Sequence, residues 1–180
     1  QVALFSAAIA VVFLTMAVPL QTTGAWLTVA WAAEGAAFVS VGFAVSDWRF
    51  RAVGLGVLAA TGFKLLTLDA YISLEDFRLI LNERFPTFAV SIAALYVTAF
   101  QYWRNRHRLE IWEQNFTTVL VGSANLLSIW ALSLEVISAF EFQMLEMDGT
   151  REVWAANGQL LVLTAVWSVY ATGLLVIGMV

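Results

Sequence analysis

The sequence contains no cysteine, only two prolines and a single histidine among its 180 residues. The lack of cysteine excludes disulfides, thiol catalysis and thiolate metal sites, and it leaves the redox compartment undetermined. The one histidine, His107, lies in an arginine-rich segment, which favours a solvated side chain over a metal ligand or a catalytic base. No serine–histidine, metal-ligating or phosphate-binding arrangement occurs, so the sequence predicts no cofactor and gives no support to an enzyme.

Charged residues are also scarce. They make up 12% of the chain, about half of the roughly 25% that is usual in soluble domains. Hydrophobic residues make up 61%, and they fall in blocks close to the roughly 20 residues that a helix needs to cross a bilayer. The sequence therefore predicts an integral membrane protein with the lipid bilayer as its partner. The net charge of −4 without a basic patch gives no indication of nucleic-acid binding.

The apolar blocks predict a single all-α domain over residues 1–180, built as a bundle of six transmembrane helices. The six spans are predicted at residues 2–20, 25–45, 52–68, 86–103, 116–140 and 153–180. Between the third and fourth spans, Ser73 and Asp76 resemble a capping box, and the apolar residues that follow share one helical face. This pattern predicts an amphipathic helix over 73–85 that lies in the membrane interface, with a solvated loop as the alternative.

The links between spans alternate sides, and their arginines are unevenly divided. One side carries Arg49, Arg51, Arg104, Arg106 and Arg108, and the other carries Arg78, Arg84 and Arg151. The positive-inside rule places the first side, with both chain ends, in the cytoplasm, in an inner membrane if the source is bacterial.

One acid and one base stand inside the second and third spans. From the predicted span boundaries, Glu34 lies about 14 Å below one face and Lys64 about 18 Å above the other. These depths agree, and an unpaired charge there is costly, so we expect the two side chains to pair across a helical hairpin. The pair is either a polar site for a proton or ion, or a buried contact that fixes helix register.

Other polar residues cluster near the predicted outer ends of the spans. An outward-facing vestibule is one interpretation, and ordinary snorkelling at the interface is the other. The residues concerned are Asp69, Glu135, Arg151, Asn157 and Gln159. Within the fifth span, Asn125 is expected to form hydrogen bonds between helices. Close helix packing is the expected role of five glycines, Gly35, Gly42, Gly54, Gly56 and Gly62.

The sixth span repeats a pattern of the second. Trp31 is followed eleven residues later by Gly42, and Trp167 is followed at the same spacing by Gly178. With Arg51, Lys64 and Asp69, this pattern resembles a bacterial family of large multi-spanning predicted membrane proteins, domain-of-unknown-function family 2339. The resemblance implies a repeat-built membrane protein of which this chain, which starts with Gln1, is a fragment. It implies no activity.

Three functions are compatible with these features. The first is a non-enzymatic module of the bacterial envelope that is structural or binds partners, such as further membrane subunits or the rest of a longer chain. The second is a component of a transporter or channel, with Glu34 and Lys64 beside a polar path. The third, a membrane-embedded enzyme, has the least support, because no catalytic arrangement appears in the sequence.

Overall fold

The computed structural model describes residues 24–70, 78–80, 82, 84–145 and 152–178. Within these ranges the regular structure is helical. The helices are α1 (Ala25–Ala44), α2 (Trp48–Thr67), α3 (Arg84–Arg104), α4 (Phe116–Leu145) and α5 (Glu152–Gly178). Two short 3-10 turns, Arg106–Arg108 and Ile111–Glu113, connect α3 to α4. The predicted all-α fold is confirmed for this part of the chain.

The helices α1 to α5 correspond to the predicted second to sixth spans, and the predicted first span lies outside the described residues. Five of the described helices are long and apolar enough to cross a membrane. The 20 residues of α1 and of α2 give a length of about 30 Å, which matches the hydrocarbon thickness of a bilayer. With 30 residues, α4 is longer than this thickness, so a crossing by α4 would require the helix to tilt or to extend beyond the hydrocarbon.

The first two helices form the expected hairpin, but α2 begins at Trp48, four residues before the predicted start. Asp47 causes this early start, because its side chain accepts a hydrogen bond from the backbone N–H of Arg49 at 2.9 Å and so caps the helix. The preceding Ser46 has a positive φ of 56°, which turns the chain tightly between the two helices. The four extra residues place each residue of α2 about 6 Å farther from the α1–α2 turn than predicted.

Glycine allows α1 and α2 to approach closely. A Cβ on Gly54 would lie 2.6 Å from the carbonyl oxygen of Gly35, and a Cβ on Gly35 would lie 2.7 Å from Cγ of Leu58. Near the turn, a Cβ on Gly42 would lie 2.5 Å from Cγ of Arg51. The packing role predicted for these three glycines is confirmed. At two others, Gly56 and Gly62, a Cβ would meet no atom of the described chain within 4 Å, so these glycines do not serve close packing among the described helices.

The remaining helices extend the hairpin into a bundle. α1 packs against both α2 and α3, α3 packs against α4, and α5 packs against α4. Buried apolar side chains from the four helices α1 to α4 form the core, among them Val39, Leu65, Phe88, Leu95, Ala124 and Leu127. Several buried hydroxyl groups in these helices donate to the carbonyl four residues earlier, as Thr98 does to Ala94 at 2.7 Å. Such bonds satisfy a hydroxyl group without water.

The segment predicted as an interfacial helix differs from the expectation wherever it is described. Residues 78–80 and 82 are not helical, and Ile80 has a positive φ of 65°. Residues 84 and 85 belong to α3, whose first turn contains Pro86 as expected. The other residues of the predicted helix lie outside the described part of the chain. Just before α3, the side-chain oxygen of Asn82 accepts the N–H of Phe85 at 2.9 Å and so satisfies a backbone donor in the first turn of the helix.

Candidate functional site

The bundle has two ends, each with its own cluster of charged side chains. The connector end contains the α1–α2 turn and the 105–115 connector. The Asp69 end contains the start of α1, the end of α2 and the start of α3. Within the described residues there are three ion pairs: Lys64–Asp69 and Arg84–Glu135 at the Asp69 end, and Arg51–Glu113 at the connector end.

Lys64 lies in a compact cluster at the Asp69 end. Its ammonium group donates to both carboxylate oxygens of Asp69 at 2.7 and 2.9 Å, and to Oγ1 of Thr28 at 2.7 Å. Thr28 is completely buried and donates its own hydroxyl proton to Asp69, which closes a three-membered network. A further bond runs from Lys64 to the carbonyl oxygen of Gly24 at 3.3 Å. The cluster therefore fastens the end of α2 to the start of α1.

This arrangement corrects the predicted partner of Lys64. Lys64 is level with Thr28, which lies six residues, or about 9 Å along the α1 axis, from Glu34. At the level of Glu34, the α2 side chain that meets α1 is Leu58, which lies against Gly35. The physical reason is the early start of α2, which carries Lys64 toward the Asp69 end. Glu34 itself is buried in the middle of α1, with 9% of its surface exposed.

The second cluster centres on Glu135 of α4. Arg84 donates from Nη2 to Oε1 of Glu135 at 2.9 Å, and from Nη1 to Oγ of Ser138 at 3.1 Å. Asn82 donates to both oxygens of Glu135 at 3.0 and 3.1 Å, and the backbone N–H of Ile80 donates at 3.1 Å. Apart from Ile80, which is exposed, these residues are nearly fully buried. A buried carboxylate with this many donors is fully satisfied.

The predicted vestibule is therefore divided in the structure. Asp69 belongs to the Lys64 cluster and Glu135 to the Arg84 cluster, and the two clusters meet where Arg84 donates to the carbonyl oxygen of Ala70 at 3.3 Å. Glu135 is buried and not snorkelling, with 5% of its surface exposed. On α5, Asn157 is exposed and Gln159 is partly exposed. Arg151 lies outside the described residues.

The third cluster, at the connector end, holds the most deeply buried charge. Arg51 donates from Nε and Nη2 to the two carboxylate oxygens of Glu113, both at 2.7 Å, in the bidentate geometry that suits a guanidinium. The exposed fraction of the side chain is 5% for Arg51 and zero for Glu113. Glu113 also accepts from the backbone N–H of Glu110 at 3.1 Å and from the Tyr102 hydroxyl at 3.4 Å.

Aromatic rings enclose this ion pair. The guanidinium of Arg51 stacks over the ring of Phe43 at 4.9 Å, and Phe43 meets Tyr102 edge to face at 5.1 Å. Trp112 makes similar edge-to-face contacts with Trp48 at 5.7 Å and with Phe116 at 5.6 Å. The connector is thus fixed to the α1–α2 turn, although the sequence predicts only a polar link there.

A fourth polar contact joins the last three helices. The Asn125 side-chain oxygen accepts from the Tyr170 hydroxyl at 2.7 Å and from the Tyr96 hydroxyl at 3.2 Å. Nearby, Trp167 donates its indole N–H to Oγ of Ser133 at 2.9 Å. The predicted interhelical role of Asn125 is confirmed. Its partners lie on α3 and α5, so this amide fixes both helices to α4.

The two copies of the predicted repeat have different surroundings in the structure. In α1, the face with Gly35 and Gly42 is buried against α2. The corresponding positions of α5, Ala171 and Gly178, are exposed. None of residues 157–178 is buried, so α5 presents a long apolar surface. The match between the copies is therefore one of sequence pattern, and their surroundings differ.

No group of three or more potential metal ligands occurs among the described residues. Comparison of the chain with family models, with characterised proteins and with solved structures finds no match. The geometry of the clusters is therefore the basis for a functional conclusion.

Sequence reasoning did not identify four residues of these clusters, Arg51, Arg84, Glu113 and Tyr102, as site residues. Arg51 and Glu113 lie in links between predicted spans, Arg84 lies in the predicted interfacial helix, and Tyr102 stands at the end of the predicted fourth span. Two signals were present in the sequence. Arg84 lies two residues before the predicted fourth span, on the same predicted side of the membrane as Glu135, which is the only acid within the predicted fifth span. Arg51 and Glu113 both adjoin spans on the same predicted side.

Proposed function

We propose that this chain is a structural module of a cell membrane, with its helices crossing the bilayer and its buried charges holding them in place. The observation that carries the proposal is the bonding of Arg51–Glu113 and Arg84–Glu135. Each pair joins elements far apart in sequence, is buried, and has its acid bonded by further donors. Saturated pairs of this kind act as fixed links between helices, since moving either partner would leave an unpaired buried charge.

One further feature supports membrane residence and lateral assembly. The apolar surface of α5 is exposed along its length, as in Leu161 at 73% and Ile177 at 75%. In water such a surface would favour aggregation, whereas in a bilayer it can contact lipid or a neighbouring membrane helix. The proposed partners are therefore the bilayer, further membrane subunits or further parts of a longer chain. The same proposal includes that the chain belongs to the resembled family and that it lies in a bacterial inner membrane with its ends in the cytoplasm.

Transport is the second candidate, and one observation favours it. Glu34 is buried about halfway along α1, at a depth where an acidic side chain often takes part in proton or ion movement. The pairing of Lys64 with Asp69 removes the amine first expected beside it. A transport role would therefore depend on Glu34 without Lys64.

Reconstitution into sealed vesicles distinguishes the two functions. The vesicles contain a pH-sensitive dye and carry an imposed potential, and wild-type protein is compared with Glu34→Gln, Glu141→Gln and protein-free vesicles. Glu141 is an exposed carboxylate of α4, so its replacement controls for loss of one acid. The structural role predicts the same leak rate in all four samples. A wild-type proton flux that Glu34→Gln abolishes and Glu141→Gln preserves would favour transport over the structural role.

A further inference from the structure

A lateral cleft opens at the connector end, between the end of α3 and the start of α4. Its volume is about 500 Å³, which is within the range of small-molecule sites. The residues that line it are Trp103, Arg106, His107, Leu109, Gln114 and Thr117. One part of the lining is cationic or hydrogen-bonding, and the other, Trp103 and Leu109, is apolar. A ligand that fits this cleft must therefore combine an anionic group with hydrocarbon.

Among the described residues, no ion pair neutralises the positive charge around the cleft. Arg104, Arg106 and Arg108 are exposed, and none of them takes part in the three ion pairs of the described residues. The buried acid of the connector, Glu113, is already paired with Arg51. Glu110 remains as an exposed acid in the same segment, but it lines a separate cavity together with Arg108. Arg106 is therefore the guanidinium available to a ligand in the cleft.

Neighbouring side chains place the cleft at the level of lipid head groups. Ile111 is 88% exposed and Trp112 is 49% exposed, although both lie in a polar connector. Trp103, at the end of α3, is 56% exposed. Exposed tryptophan beside the end of a membrane helix is typical of the boundary between hydrocarbon and water. Phosphate groups of the lipids lie at this boundary.

We propose that this cleft binds an anionic phospholipid, with Arg106 and His107 facing its phosphate and Trp103 and Leu109 contacting its glycerol and upper acyl carbons. The uncompensated arginines favour an anionic over a zwitterionic head group, because the latter brings its own positive charge. The proposal rests on the membrane residence in the proposed function, but it holds equally for a scaffold and for a transporter.

Binding is measured with detergent-solubilised full chain and pyrene-labelled phosphatidylglycerol or phosphatidylcholine, by energy transfer from tryptophan to pyrene. The variants are Arg106→Gln, Arg106→Lys and Arg49→Gln. Arg49 is a matched control, since it is an exposed arginine at the same end that does not line the cleft. Each arginine near a lipid head group contributes about a fivefold change in affinity. We expect Arg106→Gln to weaken phosphatidylglycerol binding by about this factor, Arg106→Lys to restore most of it, and Arg49→Gln to change it less than twofold.

Three results would overturn the proposal. Equal binding of both lipids by the wild-type protein would show that the head-group charge is not recognised. Equal losses in Arg106→Gln and Arg49→Gln would assign the effect to overall charge and not to the cleft. Displacement of the labelled lipid by inorganic phosphate alone would assign the site to a free anion. Lipid binding and vesicle leak are measured separately, and a loss of lipid specificity leaves the leak rates unaffected. Failure of the lipid-binding proposal is therefore distinguishable from failure of the proposed function.

Discussion

Replacing Gly54 by alanine tests the close approach of α1 and α2. The new Cβ would lie 2.6 Å from the carbonyl oxygen of Gly35 and 2.7 Å from Cγ2 of Val39. Ordinary contact begins at 3.4 Å, so the two backbones must separate by about 0.8 Å. Neither neighbour can move away easily, because the Gly35 oxygen belongs to the backbone and Val39 is fully buried. Overpacking of this kind costs about 1–3 kcal/mol, against a gain of about 1 kcal/mol in helix propensity.

The same substitution at Gly56 or Gly62 is the control, since no atom of the described chain lies within 4 Å of the new Cβ there. We expect Gly54→Ala to lower the free energy of unfolding by up to about 2 kcal/mol, and both controls to leave it unchanged or raise it, so that Gly54→Ala is about 1–3 kcal/mol less stable than either control. The assay is reversible unfolding in mixed micelles of mild detergent and dodecyl sulfate, followed by tryptophan fluorescence. If Gly54→Ala is as stable as Gly56→Ala, the inferred contact between the helices is absent.

Two further predictions concern the ion pairs of the Asp69 end, measured by the same unfolding assay. Arg84→Met alone should lower the free energy of unfolding by about 3–5 kcal/mol, because it leaves the buried carboxylate of Glu135 without its cation. Adding Glu135→Leu should recover most of this loss. A double variant no more stable than Arg84→Met would contradict the pairing. Lys64→Met and Asp69→Leu should show a coupling free energy of about 1 kcal/mol, whereas Lys64→Met and Glu34→Gln should add within about 0.5 kcal/mol. Strong coupling of Lys64 to Glu34 would support the pairing predicted from the sequence over the observed pairing of Lys64 with Asp69.

The sequence predicts the helices well because a bilayer-length apolar run has few alternatives. The start of α1 is predicted at its observed residue, and the start of α5 within one residue. The start of α2 is not, because Asp47 can act either as part of a polar link or as a helix cap, and the hydrophobic pattern does not distinguish these roles. That single ambiguity of four residues determines whether Lys64 is level with Glu34 or with Thr28.

Side-chain partners are less predictable for a different reason. Arg51 and Glu113 are 62 residues apart, and Arg84 and Glu135 are 51 residues apart. Their pairing depends on how the helices are arranged around one another, which the pattern of each helix alone does not contain. The glycines show the same limit, since Gly54 and Gly56 are equivalent by composition but lie on different faces of α2. Predicting which one packs requires the position of the neighbouring helix.

The most direct test of the account is the sidedness of the two ends of α3. The chain contains no cysteine, so single cysteines at Leu79 and at Asn115, both exposed and separated only by α3 among the described helices, report their own accessibility. In sealed, uniformly oriented vesicles treated with a membrane-impermeant maleimide, one position should be labelled at once and the other only after permeabilisation. Labelling of both positions from the same side of the sealed membrane would contradict the proposal that these helices cross the bilayer.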